Sequence, residues 1–261
     1  MKRRQMLAGL AASPFMNFET QAASTPNNTY LELTTWRLHN SDEDQPSRVA
    51  DYLESGLAPA LSRAGGKLGG AFSNVIGVDG PYYVTLTQYT SLAGLQESLT
   101  KLKTDEAYQR ELRKLDAGSG LPFVRVESSL LRSFNGMPTA AIPESEEKRP
   151  PRIFELRTYE SQTFGTLARK IGMFDGGEMQ IFERLGMRPV FFGETIIGPR
   201  QPNIMYMLSY DDLAAHDRLW HDFGMDPAWK KLKSEPQLSD AKIVANISNV
   251  ILRPLTFSLI R

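Results

Sequence analysis

Residues 154–159 read Phe-Glu-Leu-Arg-Thr-Tyr, which places a carboxylate, a guanidinium and a phenol at every second position. Alternate side chains of a β-strand share a face, so Glu155, Arg157 and Tyr159 stand together. Such a set can hold an anionic group through the arginine fork, with Glu155 in reach as an acid or base. It can equally be a buried Glu–Arg pair that fixes how two layers dock. A similar run near the start of the chain has Glu32 and Trp36, but Thr34 between them. With Phe154 and Leu156 facing helices, Glu155, Arg157, Tyr159, Glu32 and Trp36 are expected around a space between two sheets.

Other chemistry is sparse. Cysteine is absent and the histidines number three, His39, His216 and His221. On one helix His216 and His221 would point about 140° apart, so they do not make a ligand pair, and no metal centre is expected. None of the G-x-S-x-G, H-E-x-x-H or phosphate-loop patterns occurs. The pairs Gly65-Gly66 and Gly69-Gly70 lie between a helix end and a strand, the reverse of the order a phosphate loop needs. Catalytic residues are not assigned, and no cofactor is expected.

The elements that must position these residues come in two copies. Val75-Ile76-Gly77 aligns with Ile196-Ile197-Gly198, Tyr89 with Tyr210, Asp105-Glu106-Ala107-Tyr108 with Asp226-Pro227-Ala228-Trp229, and Leu130-Leu131-Arg132 with Ile251-Leu252-Arg253, all at an offset of 121 residues. Glu32-Leu33 meets Glu155-Leu156 at 123, so a small length change lies between. A register held this long indicates duplication. Period-2 and helical patterning read each copy as β-α-β-β-α-β, the order of a ferredoxin-like unit. The fold class is therefore α+β, with two tandem ferredoxin-like units packed sheet to sheet, the dimeric α/β-barrel arrangement made within one chain. The units span 29–135 and 152–261, and the Pro/Glu-rich stretch 136–151 is the linker. Matched positions differ in kind: Arg157 falls on Thr34, Glu194 on Ser73, His216 on Leu95, Trp220 on Leu99 and His221 on Thr100. The polar types gather in the second copy, and Glu194 completes the candidate pocket.

The chain is 41% hydrophobic and 10% aromatic, and 30 Lys and Arg balance 30 Asp and Glu. That composition supports a core and gives no electrostatic reason to bind nucleic acid. Residues 1–28 read as an export signal and leader: Lys2-Arg3-Arg4, the apolar run Met6 to Phe15, then a polar stretch with Gln21-Ala22-Ala23 as an exit. Arg3-Arg4 followed by Leu7 resembles a twin-arginine signal, so a periplasmic location is expected. No stretch reaches the roughly 18 apolar residues that a transmembrane helix requires.

The ordered set Phe154 to Tyr159, Gly186-Met187, Tyr206 to Leu213 and Asp226-Pro227-Ala228-Trp229 resembles the NIPSNAP family. The likeness is clearest over 152–255 and thinner over 29–134. It implies the dimeric α/β-barrel fold and carries over no catalytic residue. Two functions follow as expectations. The first is an exported protein that binds a small molecule or partner between its sheets, and that can self-associate through strand edges or helix faces. The second is a cofactor-independent monooxygenase or isomerase for a small aromatic or anionic substrate, with Arg157 placing the anion and Glu155 or Tyr159 moving a proton.

Overall fold

The computed structural model describes residues 28–143 and 150–261; the expected export signal and residues 144–149 lie outside them. In the first half, strands β1 (Tyr30–Arg37), β2 (Lys67–Ile76), β3 (Tyr82–Tyr89) and β4 (Arg125–Ser133) alternate with α1 (Gln45–Asp51), α2 (Ala58–Ala64), α3 (Leu92–Thr104) and α4 (Glu106–Ala117). The second half repeats this with β5 (Ile153–Glu160), α5 (Phe164–Met173), α6 (Met179–Leu185), β6 (Arg188–Ile197), β7 (Asn203–Tyr210), α7 (Leu213–Met225), α8 (Pro227–Lys233), α9 (Asp240–Ile243) and β8 (Asn246–Pro254). The helices start where the sequence offers a cap. Ser91, Asp105, Asp212 and Asp226 each accept a backbone N–H of the first turn, and Pro227 follows at the first helical position. Gly65 and Gly186 end α2 and α6 at φ of 101° and 83°, a left-handed conformation that needs no Cβ.

A π-helical turn, Tyr52–Leu57, separates α1 from α2, and the same turn recurs in the second half at Phe174–Glu178, between α5 and α6. Asp105 divides α3 from α4 and caps the new start.

The strands run β4-β1-β3-β2 in the first half and β8-β5-β7-β6 in the second. Pairing of β2 with β8 and of β4 with β6 joins the two sets edge to edge into a closed eight-stranded antiparallel barrel. Closure removes the free edges that two sheets stacked face to face would leave.

Two layers of apolar packing result. The barrel interior is filled from both halves by Leu31, Leu33, Phe72, Val84, Leu86 and Leu131 against Phe154, Leu156, Phe191, Met207 and Leu252. Outside the second half, Phe174, Phe182, Phe192, Phe223 and Trp229 pack between strands and helices. This reverses the expected orientation of the first strands. Phe154 and Leu156 point into the barrel, whereas Ile153 and Tyr159 belong to the helix-side layer. Glu155 and Arg157 share the parity of Tyr159, so they lie under the helices and not between the sheets. In the first half Leu31 and Leu33 fill the barrel while Trp36 packs on helix residues Tyr52, Leu53 and Leu115, so Glu32 is reversed in the same way. The middle of the barrel takes this apolar set, aliphatic and aromatic together, out of water.

Candidate functional site

Strand β5 carries the carboxylate to the centre of a polar cluster beneath α7. Glu155 is 0% exposed. Its Oε1 accepts from Arg157 Nη1 at 2.6 Å and Asn249 Nδ2 at 2.8 Å, and its Oε2 from Trp220 Nε1 at 2.8 Å and Tyr210 Oη at 3.3 Å. His216 Nε2 stands 3.1 Å from the same Oε2 without the alignment of a hydrogen bond. His216 and Trp220 are one helical turn apart on α7, so both reach down from one face. Arg157 lies 4.3 Å below the Trp220 ring and donates to Tyr159 Oη at 3.1 Å. Burial alone would raise the Glu155 carboxyl, but Arg157, Asn249, His216 and Trp220 outweigh it and hold the group below the usual carboxylate range. A carboxyl held below the usual range with its lone pairs occupied is a poor acid or base. It orients Arg157.

Beside it lies a second buried pair that sequence reasoning missed. Lys170 and Glu178 are 1% and 2% exposed and meet at 2.9 Å. Lys170 Nζ is surrounded by the rings of Phe174 at 4.8 Å, Tyr159 at 5.3 Å and Trp229 at 5.7 Å, a cation–π cage. Burial pushes the Glu178 carboxyl up, against the pull of Lys170. The available signal was Lys170 standing on the apolar stripe Leu167, Ile171 and Phe174, which runs from α5 into the π-helical turn, where a lysine is out of place. Three groups of the cluster have no hydrogen-bond partner among the described residues, the Tyr206 hydroxyl, Arg157 Nε and His216 Nε2.

Glu155 itself is sealed from solvent, and Glu155, Arg157 and Tyr159 line none of five cavities of about 300–950 Å³ among the described residues. Nor do the six sequence candidates converge. Glu155, Arg157 and Tyr159 are together; Glu32 accepts from Tyr89 Oη at 3.2 Å and Trp36 donates to Thr85 Oγ1 at 3.4 Å in the first half. Glu194 pairs with Arg132 at 2.6 Å and lines a separate groove of about 950 Å³.

A cavity between the two sheets does exist, built from the opposite strand faces. At one mouth of the barrel about 470 Å³ is open above a floor of Leu33, Val84, Leu156 and Met205, with Thr35, Thr158 and Ser129 on its wall and Arg37, Glu127 and Arg200 at its rim. Glu127 accepts from Arg37 Nε at 2.9 Å and Arg125 Nε at 3.1 Å, and these bonds keep its carboxyl below the usual range. Arg200 sits in the turn between β6 and β7 at φ of 60° and donates to Ser248 Oγ at 3.2 Å. A left-handed arginine is an uncommon conformation. Strand alternation could have found Thr158 and Leu156, had the barrel side been known.

No group of acidic residues, histidines and cysteines among the described residues could hold a metal ion, and none of their helices is long and apolar enough to cross a membrane.

Comparison with known proteins agrees with this architecture. No curated protein matches the chain. Among solved structures, a proposed monooxygenase from Lactobacillus acidophilus NCFM superposes with a TM-score of 0.55 at 11% identity, covering 87% of this chain and 94% of its own. A second proposed monooxygenase, from Fusobacterium nucleatum, gives 0.56 at 10% identity over 88% and 93%. An anthrone oxidase-like protein gives 0.52 at 10% identity over 87% and 92%. At these identities the likeness is one of fold, an α/β barrel with helices outside. The family model for NIPSNAP matches residues 154–259, the stretch from the Glu155 strand through β8, so it is the second half of this chain that is similar to that family.

Proposed function

We propose that this is an exported, non-catalytic binding protein, two tandem ferredoxin-like units closed into one barrel, which takes a small amphipathic anion into the barrel mouth. The observation that carries the reading is the distribution of chemistry in that cavity. Its floor is aliphatic, its walls are hydroxylic, and its rim holds two arginines against one carboxylate. A volume of about 470 Å³ lies inside the range of about 300–1,000 Å³ usual for small-molecule sites. An apolar body would displace water from the floor while a carboxylate met Arg200, the rim arginine not already paired with Glu127.

Isothermal titration with benzoate and octanoate against benzamide and octanamide tests this. The carboxylates should bind and the amides should not, and Arg200→Ala should weaken binding by about tenfold, the usual effect of one charged hydrogen bond. Equal binding of acid and amide would refute the anionic assignment.

A second reading, a cofactor-independent monooxygenase or isomerase, draws support from the fold neighbours named as proposed monooxygenases and from one local feature. The unpartnered Tyr206 hydroxyl and Arg157 Nε lie together in the buried cluster, where a small polar substrate atom could be met. Aerobic turnover of aromatic and quinol substrates that is lost in Tyr206→Phe would favour it; turnover surviving that change would not.

A further inference from the structure

The groove of about 950 Å³ that Glu194 lines is unlike the barrel mouth in its chemistry. It lies on the outside of the seam where β4 and β6 join the halves. Arg132 and Glu194 bridge across the seam at 2.6 Å. Around them stand Asp175, Asn135, Thr90 and Tyr30. Much of their hydrogen-bonding capacity is free among the described residues. Asp175 uses Oδ1 for the Gly136 N–H at 3.0 Å, Asn135 uses its Oδ1 for Asn28 at 3.0 Å, and Glu194 uses one oxygen for Arg132. One carboxylate oxygen on each acid, the Asn135 amide N–H groups, and the Thr90 and Tyr30 hydroxyls remain.

The charge there is one guanidinium against two carboxylates, so an anion is disfavoured. Apolar surface from Phe134 and Ile171 shares the lining with these polar groups, which suits a ligand with polar edges and apolar faces. A peptide that binds by strand addition would need a free edge, and the closed barrel offers none. The mixed donors and acceptors fit a ligand whose groups each donate and accept at once, with a ring face for Tyr30.

We infer that this groove binds a neutral oligosaccharide, a function separate from the barrel mouth. Its volume, near the upper end of small-molecule sites, leaves room for more than one sugar ring. Planar polar side chains, Arg132, Glu194, Asp175 and Asn135, meet paired hydroxyls from both units, so the site exists only because the barrel is closed.

The test is saturation-transfer NMR on the full chain with maltotriose, cellotriose and chitotriose, and with a trigalacturonate as the acidic control. At least one neutral trimer should give transfer and the acid should not. Asn135→Ala and Glu194→Gln should each weaken that binding by about tenfold. Thr90→Trp, an exposed position that fills the groove, should abolish it, while Arg200→Ala should leave it unchanged. Failure of all three neutral trimers would overturn the inference. So would binding that survives both Thr90→Trp and Asn135→Ala, or an acidic trimer that binds as tightly. Because Arg200→Ala acts only on the barrel mouth, loss of either site is read apart from the other.

Discussion

At matched positions the two halves solve one packing problem with different chemistry. In both, a tyrosine on the third strand donates to the glutamate of the first, Tyr89 to Glu32 at 3.2 Å and Tyr210 to Glu155 at 3.3 Å. Around that shared bond the first half places Thr34, Leu95 and Leu99, and the second Arg157, His216 and Trp220. The 121-residue register also sets Val49 and Leu57 against Lys170 and Glu178. Val49 is fully buried and Lys170 is 1% exposed. The first half shows that the fold does not require the charges. The ion pairs of the second half, Glu155–Arg157 and Lys170–Glu178, stand where the first half packs without such pairs.

The harshest way to break the comparison is to remove one partner of a buried pair. Arg157→Ala leaves Glu155 charged and uncompensated, and should lower stability by about 3–5 kcal/mol in denaturant unfolding. Thr34→Ala, its counterpart, should stay within about 0.5–1 kcal/mol. An equal loss at both positions would erase the asymmetry.

The next test rebuilds the first half's solution in the second. Lys170→Val alone should be destabilising by about 3–5 kcal/mol, because Glu178 is left buried and unpaired. Adding Glu178→Leu should bring stability back to the wild-type value or above it by about 1–4 kcal/mol. A double variant as unstable as the single one would show that the pair is required, not added.

The pH dependence sharpens the picture because the two carboxyls are shifted in opposite directions. Glu155 is lowered, so the stability it contributes is present above its unfolded value of about 4.3 and is lost as pH falls through the folded value. Glu178 is raised, so its contribution is present below the unfolded value and lost as pH rises through the folded one. Glu155→Gln should therefore flatten the acid limb of a stability-versus-pH curve, and Glu178→Gln should steepen it. The same direction in both variants would contradict the assignment.

The smallest effect comes from copying the charge the other way. Thr34→Arg places a guanidinium two positions from Glu32, where both side chains are half-exposed. The gain should not exceed about 1 kcal/mol, as for a solvent-screened pair.

Much of the frame was legible in the chain because it is written in local rules. The cap at Asp226, the helix-ending Gly186, and period-2 runs such as Arg152 to Tyr159 fix elements from nearest neighbours. The repeat then fixed their order. What was not legible is which strand face looks inward. Alternation shows that Glu155 and Leu156 point oppositely, but both faces of β5 are buried, and only the eight-strand closure decides that Leu156 has the barrel and Glu155 the helices. Closure itself depends on β2–β8 and β4–β6 pairing across about 180 and 60 residues, which no local pattern encodes. The partners of Glu155 were invisible for the same reason: Trp220 and Asn249 lie 65 and 94 residues away. The comparison of copies did mark Arg157, His216 and Trp220 as unequal, and these three meet at Glu155, whereas Glu194, marked in the same way, pairs with Arg132 elsewhere.

The central claim is that a ligand enters between the sheets and not beneath α7. Methionines report on both places: Met205 forms the floor of the barrel mouth, while Met173 and Met179 are buried in the helix-side layer with Tyr159 and Tyr206. Methyl NMR of ¹³C-methionine-labelled protein during titration with octanoate separates them in one measurement. The account predicts that the Met205 methyl shifts saturably while Met173 and Met179 stay in place. Movement of Met173 and Met179 with Met205 unchanged would put the ligand at the Glu155 cluster and contradict it.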